Sequence, residues 1–130
     1  MQTTSRMPVK RIEKLAMELR KFLLHYGMWQ DVDIYYDHKR ISPWDKETGE
    51  FHYNEEDYLK IEEGVEPEVY FEYVNPDHIL SMSFEGPACG MIYYGTAPDV
   101  KRRFDAIFEK YGLYYEMGHH WNLSCYFIGG

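Results

Sequence analysis

Histidine, cysteine and paired carboxylates are the residues of this chain whose types could do chemistry, and their spacing decides how much. The sequence holds six histidines and two cysteines. Histidine is the commonest metal ligand and the side chain best suited to moving protons near neutral pH. None of the six falls in H-x-H or H-x-x-x-H spacing, and no C-x-x-C is present to complete a zinc set. His119 and His120 are adjacent, so in an extended chain they point to opposite sides and do not clasp one ion. No metal or cofactor is therefore expected. Cys89 and Cys125 stand beside apolar neighbours, where cysteine serves as a small hydrophobe. A nucleophilic thiol needs a histidine close by in space, and His78 or His119 is the candidate. Asp31 and Asp33 are two apart, a spacing that puts both carboxylates on one side of a strand and that a solvated face explains better than a site does. The phosphate-cradling G-x-G-x-x-G and G-x-x-x-x-G-K-[ST] patterns and the G-x-S-x-G nucleophile turn are absent.

Charge and aromatic content carry more information than these motifs. Net charge is −8, unevenly spread. Residues 1–28 hold six basic residues against two acidic, and residues 29–99 hold four basic against seventeen acidic. The densest acidic stretch comprises Glu55, Glu56, Asp57, Glu62, Glu63, Glu66 and Glu68, without the ligand order of a calcium loop. Such a surface repels phosphate backbones and anionic lipid, which argues against nucleic-acid and membrane partners and for a basic protein partner. Aromatic residues make up 18% of the chain, and 13 of them are Tyr, a side chain that covers apolar area while keeping a hydroxyl for water or a partner.

These residues must be positioned by elements that the hydrophobic pattern reveals. Val9, Ile12, Leu15, Ala16, Leu19, Phe22, Leu23 and Tyr26 recur at helical spacing between Pro8 and Gly27, with the Lys and Arg residues expected on the solvated side. Residues 31–36 alternate in period two, with Val32, Ile34 and Tyr36 on one face and Tyr35 on the other. Residues 37–66 form the least regular and most acidic part. There Glu50 to Tyr53 is expected to pair back onto the first strand, and 54–64 fits helix or strand equally well. Alternation returns at Val69, Phe71 and Tyr73 and at Leu80, Met82 and Phe84, separated by the turn Asn75-Pro76-Asp77. Ala88 to Tyr94, apolar on both sides, predicts a central strand. Thr96-Ala97-Pro98-Asp99 has capping-box spacing before a second helix carrying Val100, Phe104, Ile107, Phe108 and Tyr111. A closing hairpin turns near Gly118-His119, with Leu113, Tyr115, Met117, Trp121, Leu123, Cys125 and Phe127 alternating inward.

This order predicts one α+β domain over residues 1–130, with 1–8 as a frayed lead-in: a single antiparallel sheet of about five to six strands with two amphipathic helices packed on one face. Two isolated cysteines, no apolar leader and no bilayer-length apolar run point to a cytoplasmic protein without disulfides. With helices on one face only, the other would carry Tyr35, Tyr70, Tyr93, Tyr94, Tyr114 and Tyr126, an apolar patch that asks for a partner. The leading expectation is a non-enzymatic interaction module that uses this face and the acidic middle segment to meet a second copy of itself, as a homodimer, or a basic protein. An enzyme or ligand-binding protein with a pocket around His78, Cys89, His119 and Trp121 is the alternative, and an acidic mimic of nucleic acid the third.

Overall fold

A computed structural model of the chain describes residues 7–67 and 77–129. Its framework is one antiparallel sheet built from β1 (Val32–Tyr36), β2 (Lys39–Ile41), β3 (Ile61–Glu63), β4 (Leu80–Phe84), β5 (Leu113–Met117) and β6 (Asn122–Phe127), in the order β3-β2-β1-β4-β6-β5. Helices α1 (Val9–His25), α2 (Gly86–Ile92) and α3 (Pro98–Lys110) complete the described elements. The α+β architecture is as the sequence pattern predicts.

Strand register explains why one face is apolar. Ile34 lies opposite both Ile41 and Met82, Met82 opposite Leu123, and Leu123 opposite Met117, so the inward series of five strands forms a continuous apolar row. Against it pack Leu15, Ala16, Leu19 and Leu23 of α1, Ala88, Met91 and Ile92 of α2, and Phe104, Ile107 and Phe108 of α3, all at helical spacing. Fully buried Leu or Phe side chains contribute about 1.5–3 kcal/mol each, so this layer is the main source of stability. Two phenols at its edge are satisfied: the Tyr36 hydroxyl donates to Glu13 of α1 (2.6 Å) and the Tyr111 hydroxyl to Glu18 (2.9 Å).

The details depart from expectation in several places, each for a local reason. Ala88 to Ile92 belongs to α2 and not to a central strand: Gly86, at φ 56°, turns the chain sharply out of β4, and Pro87 occupies the first helical turn, where its missing N–H costs nothing. Lys39–Ile41, and not residues 50–53, pairs back onto β1, because Asp37 and His38 both adopt positive φ and form a two-residue hairpin turn. Residues 61–63 are a strand on β2, which settles that part of 54–64. No side chain caps α3; Asp99 binds Arg102 of its own first turn instead of closing a capping box with Thr96. Arg20 is buried, not solvated. It falls on the stripe of Ala16 and Leu23, and its Nη2 donates to the carbonyls of Glu56 (2.9 Å) and Tyr58 (2.7 Å). Met7 is buried in the core, so packing begins before Val9. The expected strand at 69–74, with Tyr70 and Glu68, lies outside the described residues.

Candidate functional site

The side of the sheet turned away from the helices is polar and closed over its centre. Alternation places Asp33, Tyr35, Arg40, Glu62, Ser81, Ser83, Asn122 and Ser124 there, and register sets Arg40 between Tyr35 and Glu62. Tyr35 is 0% exposed and packs against Val65 and Trp121, while Arg40 is 2% exposed. Tyr35 is therefore no part of an open tyrosine surface, and Trp121 packs on this side instead of facing the helices. Its polar atoms are linked in pairs. Arg40 Nη2 donates to Glu62 Oε1 (2.6 Å), whose other oxygen meets Lys46 (2.7 Å). The Tyr35 and Ser83 hydroxyls both approach Asp33 Oδ2 (3.5 Å), and Ser81 Oγ joins His78 Nδ1 (2.9 Å) to Ser124 Oγ (2.6 Å). Burial holds the Asp33 carboxyl above the ordinary aspartate range, opposed by hydrogen bonds and by Arg40. Burial followed by the charge of Asp33 pushes the Tyr35 phenol far above its ordinary value. These are the marks of a satisfied buried network, which fixes register and geometry.

The remaining tyrosines divide between two places. Tyr114 and Tyr126 face each other across β5 and β6 at the sheet edge, ring centroids 5.9 Å apart, with Tyr114 41% exposed. Tyr93 and Tyr94 follow α2 and are 52% and 63% exposed, their rings perpendicular at 4.9 Å. They belong to the turn after α2 and not to a strand, so they do not alternate onto the helix-free face as expected.

Three of the four residues of the alternative pocket, Cys89, His119 and Trp121, gather in one place, and His78 does not line their cleft. Cys89 and Trp121 line a cleft of about 320 Å³ together with Glu85, Gly86, Gly90, Tyr94 and His120. His119 stacks on Trp121 at 5.1 Å, 12° from parallel. His78 precedes β4, whereas the backbone of Trp121 lies beside its last residue, Phe84, so the two join the sheet at opposite ends of that strand. Within the cleft Cys89 is nearest the backbone of His120, its Sγ 3.4 Å from the carbonyl. Burial and the neighbouring Glu85 push its thiol up, away from the thiolate a nucleophile needs. Burial raises Cys125, in β6, to about 12. Among the described residues no group of three or more His, Cys, Asp or Glu side chains could hold a metal ion, and no helix is long and apolar enough to cross a membrane.

The acidic segment is ordered by contacts with the helical layer and by its own ion pairs. Asn54 clasps Trp29 through two hydrogen bonds of 2.9 Å, side chain to N–H and N–H to carbonyl. Lys60 reaches Asp45 (3.4 Å) and Glu47 (2.6 Å), and Tyr58 stacks on His52 at 3.8 Å. Glu62 is held by Arg40 and Lys46, and Glu66 pairs with His38, while Glu55, Glu56, Asp57 and Glu63 are exposed. In the middle of this segment Trp44 and Phe51 form a β-bridge, which puts both rings on one side, 38% and 58% exposed. Phe51 touches Tyr53 (5.2 Å between centroids), whose hydroxyl donates to Asp31 Oδ1 (2.5 Å), and the Asp31 carbonyl accepts the Glu85 N–H (2.9 Å). Trp44, Phe51, Tyr53, Asp31, Glu85 and the cleft thus form one continuous rim along an end of the sheet.

Sequence periodicity misses Trp44, Phe51, Glu85 and His120. The available signal is two large aromatic residues inside a polar, turn-rich stretch, where no core pattern accounts for them. No family model, curated protein or solved structure shows significant similarity to this chain.

Proposed function

We propose that this protein is a non-enzymatic interaction module that docks a basic protein partner on its acidic aromatic rim, with Trp44 and Phe51 as the apolar anchors. One observation carries the reading: a bridged, half-exposed Trp and Phe stand in a segment, residues 44–66, with nine acidic residues against two lysines. Large aromatics surrounded by charge have the composition of an interface centre and its polar rim. Internal clasps at Asn54, Arg20 and Lys60 hold the segment in shape before binding, which reduces the ordering cost on association. A rim of one sign speeds encounter with a basic partner and repels a second acidic copy of the chain.

The test is titration of a panel of basic folded proteins and Lys/Arg-rich peptides against the wild type, Phe51→Ala and the Trp44→Ala/Phe51→Ala double variant, with circular dichroism confirming each fold. Binding that is salt-sensitive and weakens about a hundredfold in the double variant supports the proposal, since an aromatic anchor is worth about 2 kcal/mol or more. Binding that survives in the double variant but disappears in Tyr114→Ala/Tyr126→Ala would move the interface to the sheet edge. No binding by any basic probe at low salt would end the proposal.

A further inference from the structure

We infer that the cleft at the end of α2 is a binding site for a soft organic cation, a guanidinium or quaternary ammonium group. The cleft is lined by the aromatic side chains of Tyr94, His120 and Trp121 and by Glu85, with Asp31 Oδ2 close to Gly86. Asp31 lies against its floor at Gly86, where a Cβ would come within 3.3 Å of Asp31 Oδ2, so glycine there keeps that carboxylate next to the opening. Some carboxylates of this chain are neutralised in ion pairs, such as Glu62 with Arg40 and Asp105 with Lys101. Neither Asp31 nor Glu85 is in an ion pair among the described residues. Aromatic faces attract a cation whose charge is spread over an apolar shell, and nearby carboxylates add a longer-ranged pull. A compact, strongly hydrated ammonium gains less, because it gives up more hydration on entering. The volume of about 320 Å³ admits a group of this size.

This inference does not depend on the docking proposal, whose anchors lie in the loop and not in the cleft. The probes are arginine amide, choline and 3,3-dimethyl-1-butanol, the uncharged isostere of choline, each followed by NMR at the Trp121 indole and Tyr94 ring signals. Expected is saturable binding of at least one cation about tenfold tighter than the alcohol, weakened severalfold in Glu85→Gln and in Tyr94→Leu. Preference for arginine amide identifies a partner's arginine as the occupant, and preference for choline a free quaternary ammonium compound. Equal binding of choline and the alcohol, absence of shifts with all three, or unaltered cation binding in Glu85→Gln and Tyr94→Leu would overturn it. Failure in these arms together with loss of basic-protein binding in the Trp44→Ala/Phe51→Ala variant would refute the cleft and leave the docking surface standing.

Discussion

The two faces of the sheet are made by the same strands and are held together by different interactions. Toward the helices, Ile34, Met82, Leu123 and Phe104 contribute through area removed from water and close packing, with no direction attached. Toward the opposite side, Asp33, Tyr35, Arg40, Ser81 and Ser124 contribute through paired donors and acceptors, each of which has a required partner at a required distance. The apolar face tolerates repacking, whereas the polar face is specific: a one-residue slip of β1 would carry Tyr35 and Asp33 into the core and Ile34 out of it. Closure over the centre of the polar face confines its exposed aromatics to the Tyr114–Tyr126 pair at the edge, and the larger exposed aromatic surface lies on the rim. A sheet face that satisfies its own polar groups needs no partner, so the unsatisfied apolar area collects at the rim.

The comparison breaks most visibly by emptying the core. Phe104 is 0% exposed and surrounded by Phe22, Phe108 and Tyr115. Phe104→Ala should destabilise by about 4 kcal/mol through lost transfer energy and the cavity left behind, measured as a lower urea midpoint with unchanged slope. A loss below that of a surface substitution would mean that the α3 layer is not the source of stability. On the polar face Arg40→Met keeps the volume and removes the charge from Glu62. Its cost should be about 2 kcal/mol, less than that of the Phe, because Lys46 still reaches Glu62 and the residual carboxylate is not stranded. An Arg40→Met protein as stable as wild type would show that the polar face fixes geometry without adding stability.

How much of this was legible follows from which residues obey a short period. Helix α1, strand β1, strand β4 and the β5–β6 hairpin are readable because their apolar positions repeat at 3.6 or 2.0 over five or more residues. Ala88 to Ile92 defeats that reasoning: a short run that is apolar on both sides fits a buried strand as well as a buried helical turn, and only Gly86-Pro87 distinguishes them. Strand β2 is hidden for the opposite reason, since Lys39-Arg40-Ile41 holds too few apolar residues to show a period and turns on Asp-His instead of Asn-Gly. Arg40 and Arg20 are buried only because distant carboxylates and carbonyls meet them, a long-range pairing that local pattern does not encode. The rim has the same character. Trp44 and Phe51 become neighbours through one bridge, and Asp31 joins them to Glu85 through Tyr53.

The finest test separates two carboxylates that share the polar face but respond to acid in opposite directions. Burial raises Asp33 above its ordinary value, so its folded form holds a proton that the unfolded chain releases. As pH rises from about 3.9 through the raised folded value, Asp33 lowers stability, and below that window its penalty is absent. Burial also acts to raise Glu62, but hydrogen bonds from Lys46 and Arg40 outweigh it and hold the carboxyl below its ordinary range. Its contribution is fully present above about pH 4.3 and is lost as pH falls through the depressed folded value. Urea unfolding of wild type, Asp33→Asn and Glu62→Gln at a series of pH values should therefore give differences of opposite slope. Wild type loses ground to Asp33→Asn as pH rises above about 3.9 and gains on Glu62→Gln as pH rises up to about 4.3. If both differences slope the same way, the two acids sit in like environments, and the polar face is a solvated surface instead of a buried network with one paired and one desolvated carboxylate.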